Sequence, residues 1–97
     1  MKISFLIPSY NHSRYIEFAL QSIYDDAKCF DYEIVLIDDG STDDTKLTIS
    51  SWMIKNPEAC VKVVYRKNIG LCATLNELLS ICDGDVIRLC ASDDGVV

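Results

Sequence analysis

The sequence predicts a three-layer α/β fold, with helices on both faces of a mostly parallel sheet of about four strands, and three observations carry it. Short apolar runs rich in Ile, Val and Leu recur at residues 3–7, 33–37, 61–65 and 86–90. Between them, the apolar residues change period from that of a buried strand to that of an amphipathic helix. Polar breaks containing Gly, Pro, Asn or Asp fall at the ends of these runs, so the order reads β-α-β-α-β-α-β. Parallel strands joined by right-handed helical crossovers are the architecture that such an alternation specifies.

The first two runs, Ile3-Ser4-Phe5-Leu6-Ile7 and Glu33-Ile34-Val35-Leu36-Ile37, are nearly continuous rather than alternating, as strands buried on both faces read. Ile16, Ala19, Leu20 and Ile23 follow at i, i+3, i+4 and i+7 and make one apolar helical stripe. Leu71, Leu75, Leu78 and Cys82 repeat it at i, i+4, i+7 and i+11. The middle helix, residues 45–55, has Leu47, Ile49, Trp52, Met53 and Ile54 spread around its axis. It is still expected to be a helix, because Ser41 or Thr42 can cap it and Asn56-Pro57 can stop it. Asp43 and Asp44 then read as first-turn acids favoured by the helix dipole, and Trp52 as core.

A chain of 97 residues, 49% hydrophobic and 25% charged, suits one small domain. A net charge of -6 excludes general nucleic-acid binding, which needs a basic face. It leaves room for a phosphorylated ligand if a metal or backbone donors supply positive charge. The opening apolar run ends at Pro8, too short for a secretory leader or a transmembrane segment. Five cysteines, at 29, 60, 72, 82 and 90, are odd in number and lack C-x-x-C spacing. They read as reduced thiols of a cytoplasmic protein.

In open parallel sheets, ligands bind outside the carboxyl ends of the strands, so residues 8–13, 38–44, 66–70 and 91–95 are where chemistry is expected. Asp38-Asp39 ends the second strand and Asp93-Asp94 ends the fourth. Two acidic pairs on one rim repel unless compensated, and Mg²⁺ or Mn²⁺ would compensate them while binding a diphosphate through open positions. Pro8-Ser9-Tyr10-Asn11 offers a hydroxyl, an aromatic face and an amide. Arg66-Lys67-Asn68 offers two cations for phosphate or ribose, and Gly70 opens the third helix. Read locally, Asp38-Asp39 fits a turn before a helix as well as a ligand site. His12, the single histidine, forms no nucleophile–base arrangement with Ser13.

Other uses of this fold class fit poorly. The turn after the first strand reads P-S-Y-N-H-S, not the G-x-G-x-x-G of dinucleotide binding, and no G-x-x-x-x-G-K-[ST] loop is present. A phospho-receiver would place its acidic pair after the first strand, whereas here the pairs follow the second and fourth.

Taken in order, "PSYN" at 8–11, "LQSI" at 20–23, "EIVLIDDGSTD" at 33–43, "NIGL" at 68–71, Asn76, Gly84-Asp85 and "ASDD" at 91–94 resemble family 2 glycosyltransferases of the GT-A fold. The resemblance runs from end to end and implies the nucleotide-sugar-binding half of such an enzyme over residues 1–97. The acceptor half and its general base would then lie outside this sequence. It implies that Pro8, Ser9, Tyr10 and Asn11 line the base and ribose pocket and that Asp38 accepts from the nucleobase, often uracil, with Asp39 beside it. The residues around Asn68, including Arg66, Lys67 and Gly70, would flank the nucleotide. Asp93 and Asp94 would match the D-x-D region, with Asp93 also at the ribose and both holding Mg²⁺ or Mn²⁺. The implied partner is a nucleoside-diphosphate sugar, UDP-sugars foremost, transferred in polysaccharide or glycoconjugate synthesis.

Three positions depart from the family pattern. Ala91 replaces the acid that usually opens the metal motif, Leu75 replaces a frequent arginine, and Arg88 interrupts the fourth strand. The alternatives are an inactive nucleotide-binding module and a structural remnant that forms homo-oligomers through an exposed sheet edge.

Overall fold

The computed structural model describes residues 2–10, 15–42, 44–67 and 70–89. The elements run β1 (Lys2–Ser9), α1 (Ile16–Ala27), β2 (Asp31–Asp39), α2 (Thr45–Lys55), β3 (Val61–Arg66), α3 (Leu71–Ile81) and β4 (Val86–Leu89). All the pairings are parallel and the strand order is β3-β2-β1-β4. The chain therefore builds outward from β1 to β3, then crosses back over the sheet to add β4 on the other side of β1. That crossing is made by α3, which packs on β1 and β2, while α1 and α2 pack together. The expected three-layer arrangement is present.

The continuous apolar runs divide between the two faces with period 2, as alternating Cβ directions require. Phe5, Ile7, Ile34 and Leu36 join Ile16, Leu20, Ile23, Ile49 and Trp52 in the core beneath α1 and α2. Leu6, Val35 and Ile37 face the other way and pack with Leu78 of α3. The stripe Ile16, Ala19, Leu20 and Ile23 is wholly buried. Trp52 is core, as expected, and its Nε1–H donates to Gln21 Oε1 at 3.0 Å, satisfying the one polar atom it buries. Only the two central strands are buried on both faces; every residue of β4 is exposed.

The irregular middle helix forms within the bounds expected, and Asn56 ends it by donating its Nδ2–H to Trp52 O at 2.9 Å. Its start differs from the expectation. Neither Ser41 nor Thr42 occupies the N-cap, which is Asp44, without a side-chain capping bond. Ser41 instead donates to the Asp38 carboxylate, a charged and buried acceptor that binds a hydroxyl more strongly than an exposed helix end does. Asp44 sits one place before the first turn, still at the positive end of the helix dipole, and Asp43 lies outside the described residues.

At the amino ends of the strands, a buried carboxylate gathers the sheet. Glu33 of β2 accepts from Ser4 Oγ of β1 at 2.6 Å and from the Asp83 backbone N–H at 2.6 Å. Lys62 Nζ of β3 lies 2.9 Å from Glu33 and 3.0 Å from Asp83. Ser4 Oγ accepts in turn from the Gly84 N–H at 2.7 Å. A Cβ on Gly84 would stand 2.7 Å from the Ser4 backbone nitrogen, so only glycine allows this approach. Burial alone would raise the Glu33 pKa, but the Ser4 hydroxyl, the Asp83 N–H and the Lys62 ammonium outweigh it and bring it from 4.5 down to about 2.

Because the folded value lies below the ordinary one, the stabilisation from Glu33 is complete above about pH 4.5 and is lost as pH falls towards 2. Glu33→Gln is expected to lower the unfolding free energy at neutral pH by about 1–3 kcal/mol. Urea midpoints of the variant and the unaltered chain should converge as the pH drops through that window. Midpoints that stay equally far apart at low pH would contradict the ionised state of Glu33.

Candidate functional site

The site begins where β1, β2 and β3 end side by side. Ser9 pairs in register with Asp38, Asp38 with Tyr65, and Asp39 with Arg66, so the strand ends deliver these residues to one rim. Ser9 is buried, and its Oγ has no hydrogen-bond partner among the described residues. Tyr10, just beyond it, is 43% exposed and presents an aromatic ring to solvent.

The two adjacent aspartates, both buried, are held in different ways. Successive β residues point to opposite faces, so Asp38 and Asp39 cannot share one set of partners. Asp38 turns towards its own loop, where the Ser41 hydroxyl and the Ser41 N–H, at 3.3 Å, both donate to it. Asp39 turns towards α3. Its Oδ2 accepts from the Gly70 N–H at 3.1 Å, and its Oδ1 lies 3.4 Å from Arg66 Nε. For Asp39, positive charge is thus supplied from within the chain by the Arg66 guanidinium.

A cavity of about 560 Å³ opens over this rim. Asp38, Gly40 and Ser41 form one side, and Tyr65, Arg66 and Lys67 the other. Lys46, from the first turn of α2, completes the lining, with its Nζ 4.8 Å from the centroid of the Tyr65 ring. One carboxylate, an aromatic ring and three cationic side chains therefore converge in a chain whose net charge is -6. Such a lining suits an anionic ligand with a planar, hydrogen-bonding part.

Of the residues expected at the site, Asp38, Arg66 and Lys67 line this cavity, and Pro8, Ser9, Tyr10, Asp39 and Gly70 stand at the same end of the sheet. Arg66 is not in a loop but is the last residue of β3, and its guanidinium donates inward to Asp39, Thr74 and Glu77. Asn11, Asn68, Asp93 and Asp94 lie outside the described residues. Among the described residues, no three His, Cys, Asp or Glu side chains cluster to hold a metal ion. Sequence reasoning missed Lys46 and Tyr65. The parallel register would have pointed to Tyr65, as the β3 partner of Asp38, whereas Lys46 follows only from the rotation of α2.

An open parallel sheet with a polar, cation-lined cavity at its carboxyl rim defines the class of nucleotide-binding α/β domains. The particular family follows from comparison: Glycosyl transferase family 2 matches residues 4–96, and the chain belongs to it. It is 36% identical over 100 aligned positions to the abequosyltransferase of Salmonella typhimurium, covering 99% of this chain and 29% of that protein. The mannosyltransferase PcManGT of Pyrobaculum calidifontis, in complex with GDP-Man and Mn²⁺, superposes with a TM-score of 0.87 at 27% identity, covering 94% of this chain and 27% of that one. TarS of S. aureus in complex with UDP-GlcNAc gives a TM-score of 0.81 at 30% identity, covering 96% and 27%. The chain thus spans less than a third of the length of these relatives. Among the described residues, no helix is long and apolar enough to cross a membrane.

Ser41→Ala removes the hydroxyl from a buried carboxylate and is expected to cost about 1–2 kcal/mol of stability, read from urea unfolding at neutral pH. An unchanged midpoint would mean that Asp38 is solvated rather than held by its loop.

Proposed function

We propose that the chain is the donor-binding half of a glycosyltransferase that moves a sugar from a nucleoside-diphosphate sugar, with UDP-sugars favoured, to an acceptor in polysaccharide or glycoconjugate synthesis. The observation that carries this reading is the cavity in which Asp38 faces the cations Lys46 and Lys67 at the carboxyl rim. In this reading, Asp38 accepts an N–H from the base, using the lone pairs that Ser41 leaves open. Tyr10 offers its exposed ring for stacking, Pro8, Ser9 and Asn11 shape the base and ribose pocket, and Asn68 and Gly70 border the nucleotide. Asp39 stands beside Asp38, Arg66 lends positive charge to the rim, and Lys67 sets its own against the diphosphate.

Asp93, at the ribose, and Asp94 would hold Mg²⁺ or Mn²⁺, a choice supported by their hard oxygen donors and by the Mn²⁺ in the mannosyltransferase complex. Bound there, the ion would supply a Lewis acid against charge building on the departing nucleoside diphosphate. In the transfer, the bond from the sugar's anomeric carbon to the diphosphate oxygen breaks and one to the acceptor oxygen forms. The acceptor's proton passes to a base outside this chain. A cytoplasmic setting is supported by the unpaired thiols of Cys29, Cys60 and Cys82.

A second reading rests on β4, where Val86, Ile87 and Leu89 are 40%, 47% and 61% exposed. An edge of this kind pairs readily with another strand, and a second copy of the chain would cover it. Sedimentation decides this reading: a concentration-dependent dimer supports it, and a monomer removes it.

Thermal unfolding with UDP, GDP and dTDP, each with and without Mn²⁺, tests the main proposal. A ligand at a hundredfold excess over its Kd adds about 2.7 kcal/mol, a shift of several degrees in a domain this small. One nucleotide is expected to give a Mn²⁺-dependent shift that Asp38→Asn abolishes. No shift with any of the three would overturn the reading.

A further inference from the structure

Four groups around the end of β3 close a ring of hydrogen bonds. Asp39 accepts from the Gly70 N–H at 3.1 Å, and the Gly70 carbonyl accepts from Thr74 Oγ1 at 2.9 Å. Thr74 Oγ1 accepts from Arg66 Nη2, and Arg66 Nε donates back to Asp39 at 3.4 Å. Glu77 holds the guanidinium from outside through Nη1. The ring joins the ends of β2 and β3 to the first turn of α3 and grips Gly70 by both its N–H and its C=O.

Gly70 needs such a grip. Its φ of +98° lies where L side chains rarely go, and it is the N-cap of α3 without a side chain to cap with. The carboxylate of Asp39 takes the Gly70 N–H, the bond that the N3 side chain makes in a capping box. Arg66 and Gly70 are thereby fixed to one another, and Lys67, next to Arg66, is exposed and lines the cavity.

We propose that Asp39, Arg66 and Thr74 are positioning residues that lock the end of β3 to the start of α3, and that Lys67, carried on the end of β3, is the cation presented to the diphosphate. The inference deepens the donor-binding reading and rests on it for the role of Lys67. It divides labour between adjacent cations: Arg66, with a planar fork matched to fixed acceptors, braces the end of β3, and Lys67, a mobile point charge, meets the ligand. Thr74 is buried and does not line the cavity, so whatever it does for binding it does through its hold on Arg66 and Gly70.

Thr74 also makes the test decisive. Thr74→Val keeps the shape and loses the hydroxyl; Thr74→Ser keeps the hydroxyl and loses a methyl group. Amide exchange at Gly70 and the dissociation constants of UDP and uridine are to be measured for both variants, for Arg66→Lys and for Lys67→Met. Exchange at Gly70 is expected to accelerate roughly tenfold in Thr74→Val and Arg66→Lys, and to stay slow in Thr74→Ser and Lys67→Met. In Thr74→Val and Arg66→Lys, UDP should weaken with uridine little changed, because Lys67 is then no longer held against the diphosphate. In Lys67→Met, UDP alone should weaken, by about tenfold.

Protection kept in Thr74→Val but lost in Thr74→Ser would make packing the cause and overturn the ring. Selective loss of UDP in Arg66→Lys, with Gly70 still protected, would make Arg66 the ligand contact. An unaltered chain that binds no nucleotide would sink the donor-binding reading and the role of Lys67 with it, while Gly70 exchange would still decide the ring.

Discussion

Everything above the foot of the sheet depends on the buried carboxylate of Glu33. A carboxylate removed from water is costly unless its oxygens are bonded and its charge is matched. Here the partners come from every neighbouring segment: Ser4 from β1, Lys62 from β3 and the Asp83 amide from the turn that leads into β4. Satisfying one ion therefore requires three strands and the α3–β4 turn to arrive in a single register. Since a slip of one residue would turn Glu33 towards the opposite face, the ion specifies register more sharply than the apolar residues around it. β4 gains most, because its exposed side chains contribute little burial of their own.

The two ends of the sheet handle acidic side chains in contrasting ways. At the foot, Glu33 takes two hydrogen bonds on one oxygen and the Lys62 ammonium on the other, and serves the fold. At the rim, Asp39 is enclosed by Arg66 and Gly70, while Asp38 is held by the adjacent Ser41 and keeps one side on the cavity. One strand thus carries two neighbouring carboxylates with different tasks, separated by nothing more than the alternation of its side chains. The Ser9 hydroxyl, buried in register with Asp38, adds to the same rim a polar group without a hydrogen-bond partner among the described residues.

The layer order, the helix bounds and the core were legible because they follow from period and punctuation. Ile16, Ala19, Leu20 and Ile23 lie on one face whatever else the chain does, and Asn56-Pro57 stops α2 locally. The capping role expected of Ser41 failed because a buried acceptor three residues back competes for the hydroxyl, and that burial is a tertiary fact. The partners of Arg66 were not legible for the same reason: nothing near it in sequence announces Asp39, twenty-seven residues earlier, or Glu77, eleven later. Tyr65 reaches the cavity through its register with Asp38, and Lys46 through the rotation of α2. The family was legible because its motifs run in order along the whole sequence.

The strand order has a kinetic side. β1 is the first of the four strands to be made, yet it lies inside the sheet, with β2 on one flank and β4 on the other. The pair that seals its second flank, Lys2 with Asp85, spans 83 positions of sequence. Until β4 emerges, an apolar strand with an open row of amides and carbonyls must wait beside a half-built sheet, the situation in which nascent chains pair wrongly with one another. Proline cannot donate to such a row, and the near-absence of charge along β1 gives it little other protection. The burden of keeping this chain single during synthesis therefore falls on the speed with which β2 closes the first flank.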